Sequence, residues 1–206
     1  GLAWILLATI PGLLLLTQNQ LFPLIDLHST LAKTLYWITM TGTAPYGVAT
    51  VLFVLAIAYR HMPKPLFISL FFAISLSQVI SLGLSHTLKS YFKEPRPNLV
   101  FLAEQALPKH EPLSLDAFYQ LDKQSRSKTI ANALDSLIAA EPALKLDSRI
   151  HQHWEDEIGY SFPSGHTIFA VTLVLTASYY LLLAGLPSLV MALWSWGFLM
   201  GLSRML

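Results

Sequence analysis

The chain has 206 residues, of which 54% are apolar and only 12% charged, and its formal net charge is +1. That balance offers no basic patch for nucleic acid, and the lack of any cysteine excludes disulfides and thiolate nucleophiles. The charges are also unevenly placed: residues 1–88 carry only Asp26, Lys33, Arg60 and Lys64, and residues 162–206 only Arg204. A soluble domain with flanks so poor in charge would expose a large apolar surface and aggregate, so the flanks read as lipid-embedded and the middle as aqueous.

The predicted elements follow in chain order. Leu2–Thr17 is an apolar run with no basic leader or cleavage site, so it reads as a clipped transmembrane helix rather than a signal peptide. The chain begins at Gly1 and stops inside an apolar run at Leu206, and is expected to be truncated at both ends. An amphipathic stretch, Leu31–Met40, carries Tyr36 and Trp37, residues suited to a membrane interface, and ends at a Gly42/Pro45 break. Crossing hydrocarbon takes about 20 apolar residues. Ala44–Tyr59, Leu66–Leu88, Ser164–Ala184 and Pro187–Leu206 meet or approach that length, making five spans with the first.

Arg60, His61 and Lys64 form the basic short loop, which is expected on the cytoplasmic side. Lys89–Phe162 then emerges externally. Within it Ile130, Leu134, Leu137 and Ile138 recur at one-face helical spacing before Pro142, and a second apolar face runs from Leu144 through Ile150 to Trp154. The fold class expected is all-α: one multi-pass membrane helical bundle over residues 1–206, with an external helical cap within 90–162.

Three clusters fall on the external side under this orientation. The first runs from Lys89 to Arg96 and Pro97. Ser77, Ser81, Ser85 and Lys89 are four apart, and small polar residues in a membrane helix favour the protein interior, so the stripe aims Lys89 into the bundle. Pro97 pushes Arg96 towards an extended backbone, from which it can turn back over the same mouth. The alternative is that both cations simply snorkel to the interface. The second cluster is Pro163-Ser164-Gly165-His166. Ser164 suits an N-cap, Gly165 permits close backbone approach, and the free N–H groups of a helix start bind anions, which His166 would face. Third, Arg204 either snorkels at its helix end or supplies another cation to the same anion. Three cations, a helix N-terminus and a histidine at one point are what phosphoryl transfer needs, because its transition state spreads negative charge over three equatorial oxygens.

Lys-x6-Arg-Pro, Pro-Ser-Gly-His and Ser-Arg, in this order, resemble the three-part signature of the type 2 phosphatidic acid phosphatase superfamily. The resemblance implies that Lys89, Arg96, Ser164, Gly165 and Arg204 hold the phosphate, and that His166 is the general acid protonating the leaving oxygen. It implies a phosphohistidine intermediate on a second histidine, oriented by an aspartate, both beyond Leu206. It further implies a lipid phosphatase of a bacterial inner membrane, its active site facing the periplasm. Phosphatidylglycerophosphate, phosphatidic acid and undecaprenyl pyrophosphate are candidate substrates that the visible residues do not separate.

No cofactor is expected, and neither an obligate protein partner nor a nucleic acid; the partners are membrane lipid phosphates and the bilayer. His151, His153, Glu155, Asp156 and Glu157 look superficially like a metal cluster, but ligands at i and i+2 leave different helix faces, so they read as a solvated acidic helix end. The competing class is a non-enzymatic membrane protein that binds or transports an anionic lipid.

Overall fold

A computed structural model describes residues 26–104, 114–140 and 146–204. The expected first span, Leu2–Thr17, lies outside the described residues, as do Pro142 and Leu144. Among the described residues the chain is helical without strands: α1 (Thr30–Met40), α2 (Tyr46–His61), α3 (Lys64–Phe92), α4 (Pro97–Glu104), α5 (Leu115–Gln120), α6 (Lys123–Ala140), α7 (Ser148–Asp156), α8 (Gly165–Leu183) and α9 (Pro187–Ser203). They belong to two compact units, one of residues 34–88 and 163–204, the other of 26–33 and 89–162.

The first unit holds α2, most of α3, α8 and α9 around one apolar core. Val54, Leu55 and Ala58 of α2 meet Leu70 and Ile74 of α3, Leu173, Ala177 and Leu181 of α8, and Val190 of α9. The outward faces are also apolar: Phe53, Leu76, Val79, Leu82, Leu183 and Met191 are all exposed. Among the described residues two helical stretches, Lys64–Glu104 (which contains α3) and α8, are long and apolar enough to cross a membrane, and only 17% and 33% of their most apolar windows are buried. A core helix of a soluble protein would bury most of such a window, and exposed apolar faces of this kind suit lipid. The other two expected spans are shorter apolar helices of 16 and 17 residues.

The boundaries follow from local chemistry. At about 1.5 Å per residue the 29 residues of α3 extend roughly 44 Å, well beyond the ~30 Å hydrocarbon layer. That helix ends where Lys93 takes a left-handed conformation, φ 51°, two residues before Pro95. Polar side chains on its inner face find partners: Gln78 Nε2 donates to the Phe169 carbonyl at 3.2 Å, and Thr176 Oγ1 donates to Ser77 Oγ at 3.3 Å. Proline at the first turn of α9 supplies a residue that needs no amide partner there.

The pair α8–α9 packs closely because Gly197 has no side chain; a Cβ there would stand 2.9 Å from Val174 Cγ2. Gly201, which the sequence pairs with Gly197 as a packing face, has nothing within 4 Å of its would-be Cβ and makes no such contact. Gly197→Ala should therefore destabilise by about 1–3 kcal/mol through overpacking, despite alanine's better helix propensity. Thermal unfolding of Gly197→Ala, Val174→Ala and the double variant checks this: the double should be less destabilised than the sum of the singles, and simple additivity would refute the contact.

The second unit has its own core. Leu99 and Leu102 of α4 and Phe118 of α5 are buried, as are Ile130, Leu134 and Leu137 of α6 and Ile150 and Trp154 of α7, which are the described members of the two expected apolar faces other than Ile138. Ile138 is only half-buried. Helix starts are capped by side chains. Asp147 Oδ1 accepts from the Arg149 N–H at 3.0 Å and its carboxylate pairs with Lys33 at 3.6 Å, while Asp122 accepts from Ser125 Oγ at 2.6 Å. The Arg149 amide holds the Asp147 carboxyl below the usual carboxylate range, and the Ser125 hydroxyl does the same for Asp122.

Candidate active site

In the first unit the site begins at the start of α8. Ser164 is the N-cap, with φ −66° and ψ 117°, and its Oγ accepts from the Thr167 N–H at 3.4 Å. First-turn amides of a helix have no intrahelical acceptor, and the helix dipole adds positive potential, so this end suits an anion. A Cβ on Gly165 would only touch Ser85 Oγ at 3.6 Å, an ordinary contact. Packing within the protein therefore does not demand glycine there. Ser85 is buried on α3, one turn before Lys89.

His166 stands in the first turn of α8, where its Nε2 lies 2.7 Å from Thr43 Oγ1. Four residues earlier, the buried Thr39 donates its hydroxyl to Ser203 Oγ at 2.8 Å, and Ser203 in turn donates to the Met200 carbonyl. Arg204 follows directly as the C-cap of α9. Between these two threonines, Thr41 Oγ1 accepts from Trp196 Nε1 at 2.9 Å. One short segment, Thr39 to Thr43, thus takes hold of both the helix start carrying His166 and the helix end carrying Arg204.

Two glycines make that segment fit. A Cβ on Gly42 would lie 3.0 Å from Met200 Cε and 3.3 Å from His166 Cδ2, and one on Gly47 would lie 3.1 Å from the Gly42 carbonyl oxygen. The second obstacle is backbone and cannot move aside. Sequence reasoning saw only a Gly42/Pro45 break here.

The second unit contains the other two expected site residues. Lys89 is half-buried in the last turn of α3. Arg96 lies in the non-helical stretch before Pro97, as the proline rule requires. Its Nε donates to the Gly159 carbonyl at 2.8 Å and its Nη2 pairs with the Glu157 carboxylate. Ser161 clasps the same stretch, its N–H donating to the Glu94 carbonyl at 2.8 Å and its Oγ to the Pro95 carbonyl at 2.9 Å. Glu157 is therefore an arginine partner rather than part of a solvated helix end. Close by, Tyr119 stacks on Tyr160 with ring centroids 4.2 Å apart, and burial pushes the Tyr119 hydroxyl up. His151 Nδ1 meets Glu155 Oε1 at 3.0 Å, one turn along α7.

The described chain is an all-helical bundle with exposed apolar faces, and its α8 begins with a capped Ser-Gly-His turn of the kind that suits an anion. The chain belongs to the PAP2 superfamily, which residues 66–206 match. It is 36% identical over 186 residues to phosphatidylglycerophosphatase B of Haemophilus influenzae, covering 86% of this chain and 73% of that protein. It is 31% identical over 153 residues to the proteins of the same name from Escherichia coli K12 and Shigella flexneri, covering 73% of this chain and 56% of each of them. The long segment between Pro97 and Pro163 is the part of the sequence that most resembles phosphatidylglycerophosphatase B.

Proposed function

We propose that this protein is an integral membrane lipid phosphatase that removes a terminal phosphate through a phosphohistidine intermediate. The observation that carries the reading is the single Thr39–Thr43 segment gripping both His166 and the residue before Arg204. Such a shared support is what a site assembled from distant motifs needs to hold its geometry. In this reading Lys89, Arg96 and Arg204, with Ser164, the Gly165 amide and the α8 N-terminus, hold the three non-bridging oxygens. A second histidine, oriented by an aspartate, attacks phosphorus. The P–O bond to the lipid breaks as His166 gives its proton to the leaving oxygen, releasing a lipid alcohol. Water then attacks the phosphohistidine and releases inorganic phosphate.

The substrate is a lipid phosphate entering from the bilayer: phosphatidylglycerophosphate, phosphatidic acid or undecaprenyl pyrophosphate. In this reading the apolar helices α2, α3, α8 and α9 cross the bilayer, with an external helical cap within residues 90–162. The protein sits in a bacterial inner membrane with the site facing the periplasm. Three cations already supply positive charge at the phosphate, so no metal is required.

The test is phosphate release by the full-length protein in detergent, measured on all three lipids with and without EDTA. Turnover on at least one, unchanged by EDTA, is expected. Lipid binding without turnover would favour the binder or transporter, and activity restored after EDTA by Mg²⁺ or Zn²⁺ would overturn the metal-free mechanism.

A further inference from the structure

A histidine acting as general acid must present one particular ring nitrogen to the leaving oxygen, and the partner of the other nitrogen decides which one. Here Nε2 is taken by Thr43 Oγ1 at 2.7 Å. The threonine hydroxyl has one proton and two acceptor lone pairs. The Thr39 carbonyl, 3.4 Å away, is an acceptor to which that proton can turn. With the proton turned there, Oγ1 is left to accept from His166 Nε2–H.

We propose that Thr43 is a positioning residue for the reaction: it accepts from Nε2–H of His166, fixes the ring's tautomer, and so makes Nδ1 the atom that delivers the proton to the leaving oxygen. The proposal rests on the phosphatase reading and on His166 as its general acid. Before transfer the ring is an imidazolium with both nitrogens protonated. The Nδ1 proton passes to the oxygen as the P–O bond breaks, and the neutral ring keeps its proton on Nε2, still donated to Thr43. When water attacks the phosphohistidine, Nδ1 can take up one of the water's protons, which resets the ring without disturbing the Thr43 contact.

The support behind Thr43 is built in. Gly42 gives up its side chain to Met200 and the His166 ring, and the Thr39 hydroxyl anchors the preceding turn to Ser203. A ring pinned through Nε2 can neither flip nor tilt without breaking that contact. Serine keeps the needed oxygen; valine keeps the shape and loses it.

The experiment compares Thr43→Val and Thr43→Ser in the full-length protein on two substrates, phosphatidic acid and p-nitrophenyl phosphate. An alkoxide leaving group needs a proton, whereas p-nitrophenolate leaves without one, so only the first reaction reads proton delivery. Thr43→Val should lower kcat on phosphatidic acid by about 10- to 100-fold, less than deletion of the acid itself, with KM within about threefold. Its loss on p-nitrophenyl phosphate should be far smaller, and Thr43→Ser should restore the lipid rate to within a few-fold of wild type.

Equal losses on both substrates would make Thr43 merely structural, and a Thr43→Ser variant as poor as Thr43→Val would show that the hydroxyl does not act; either overturns the proposal. His166→Ala keeps the two levels apart. If it discriminates between the substrates and Thr43→Val does not, only the Thr43 assignment fails. If His166→Ala does not discriminate, the acid role itself fails.

Discussion

Replacing His166 with alanine in the full-length protein should lower kcat on a lipid phosphate by about 10²–10⁴-fold, the range for losing a positioned general acid. KM should change much less, because the proton is transferred only in the transition state while the phosphate is held by other groups. The structural basis is the place of His166 in the first turn of α8, beside the Ser164 cap and tied through Nε2 to Thr43. A histidine that only capped or packed would show a different pattern. Its removal would lower the melting temperature, and the surviving folded protein would turn over normally. Steady-state kinetics on the lipid, together with thermal unfolding of the same preparation, separate the two. Near-normal kcat with a lowered melting temperature would remove His166 from the chemistry.

The two longest apolar helices were legible because a hydrocarbon layer, wherever a helix crosses it, imposes a severe rule on sequence. A helix that crosses hydrocarbon must stay apolar for its whole length, so α3 and α8 announce themselves by run length alone. The helix start at Ser164 was also legible, since its cap is a local relation between residues three apart. In the second unit, the 3.6-residue spacing of Ile130, Leu134 and Leu137 named the buried face of α6 correctly.

What stayed hidden was every relation between side chains far apart in the chain. Thr43 meets His166 across 123 positions and Thr39 meets Ser203 across 164, and threonine is too common for its presence to signal either pairing. Arg96 was visible as a cation, but its hold on Gly159 and Glu157 was not, because an ion pair across about 60 residues leaves no periodic trace. Glycine misled in one place: Gly197 and Gly201 share a helix face by spacing, yet only Gly197 meets a neighbour. Spacing fixes the face of a helix, while the neighbouring helix decides how much of that face it covers.

Arg96→Ala should damage both kinetic constants, and its combined effect on kcat/KM should be at least as large as that of the histidine. A charged hydrogen bond to the phosphate in the ground state contributes about 1.5–3 kcal/mol, which raises KM by roughly 10- to 100-fold when lost. Losing a preorganised donor to the developing charge costs a further ~10²–10³ in kcat. Arginine suits the position because its guanidinium has five donors in a rigid fork. One donor, Nε, goes to the Gly159 carbonyl, another from Nη2 to Glu157, and the Ser161 clasp on the Glu94 and Pro95 carbonyls fixes the backbone beneath it. These contacts set the plane of the fork, and in the proposed reading its other N–H groups serve the phosphate. Arg96→Lys should recover little, since an ammonium is a point charge on a flexible stem and cannot serve the Gly159 carbonyl, Glu157 and a phosphate oxygen together. Ser161→Ala, which loosens the clasp without touching charge, should cost far less than either. Kinetics of the three variants on one lipid phosphate decide the matter. A large KM effect with normal kcat would reduce Arg96 to a ground-state binder, and near-normal values of both would leave its pairing with Glu157 as a purely structural bond.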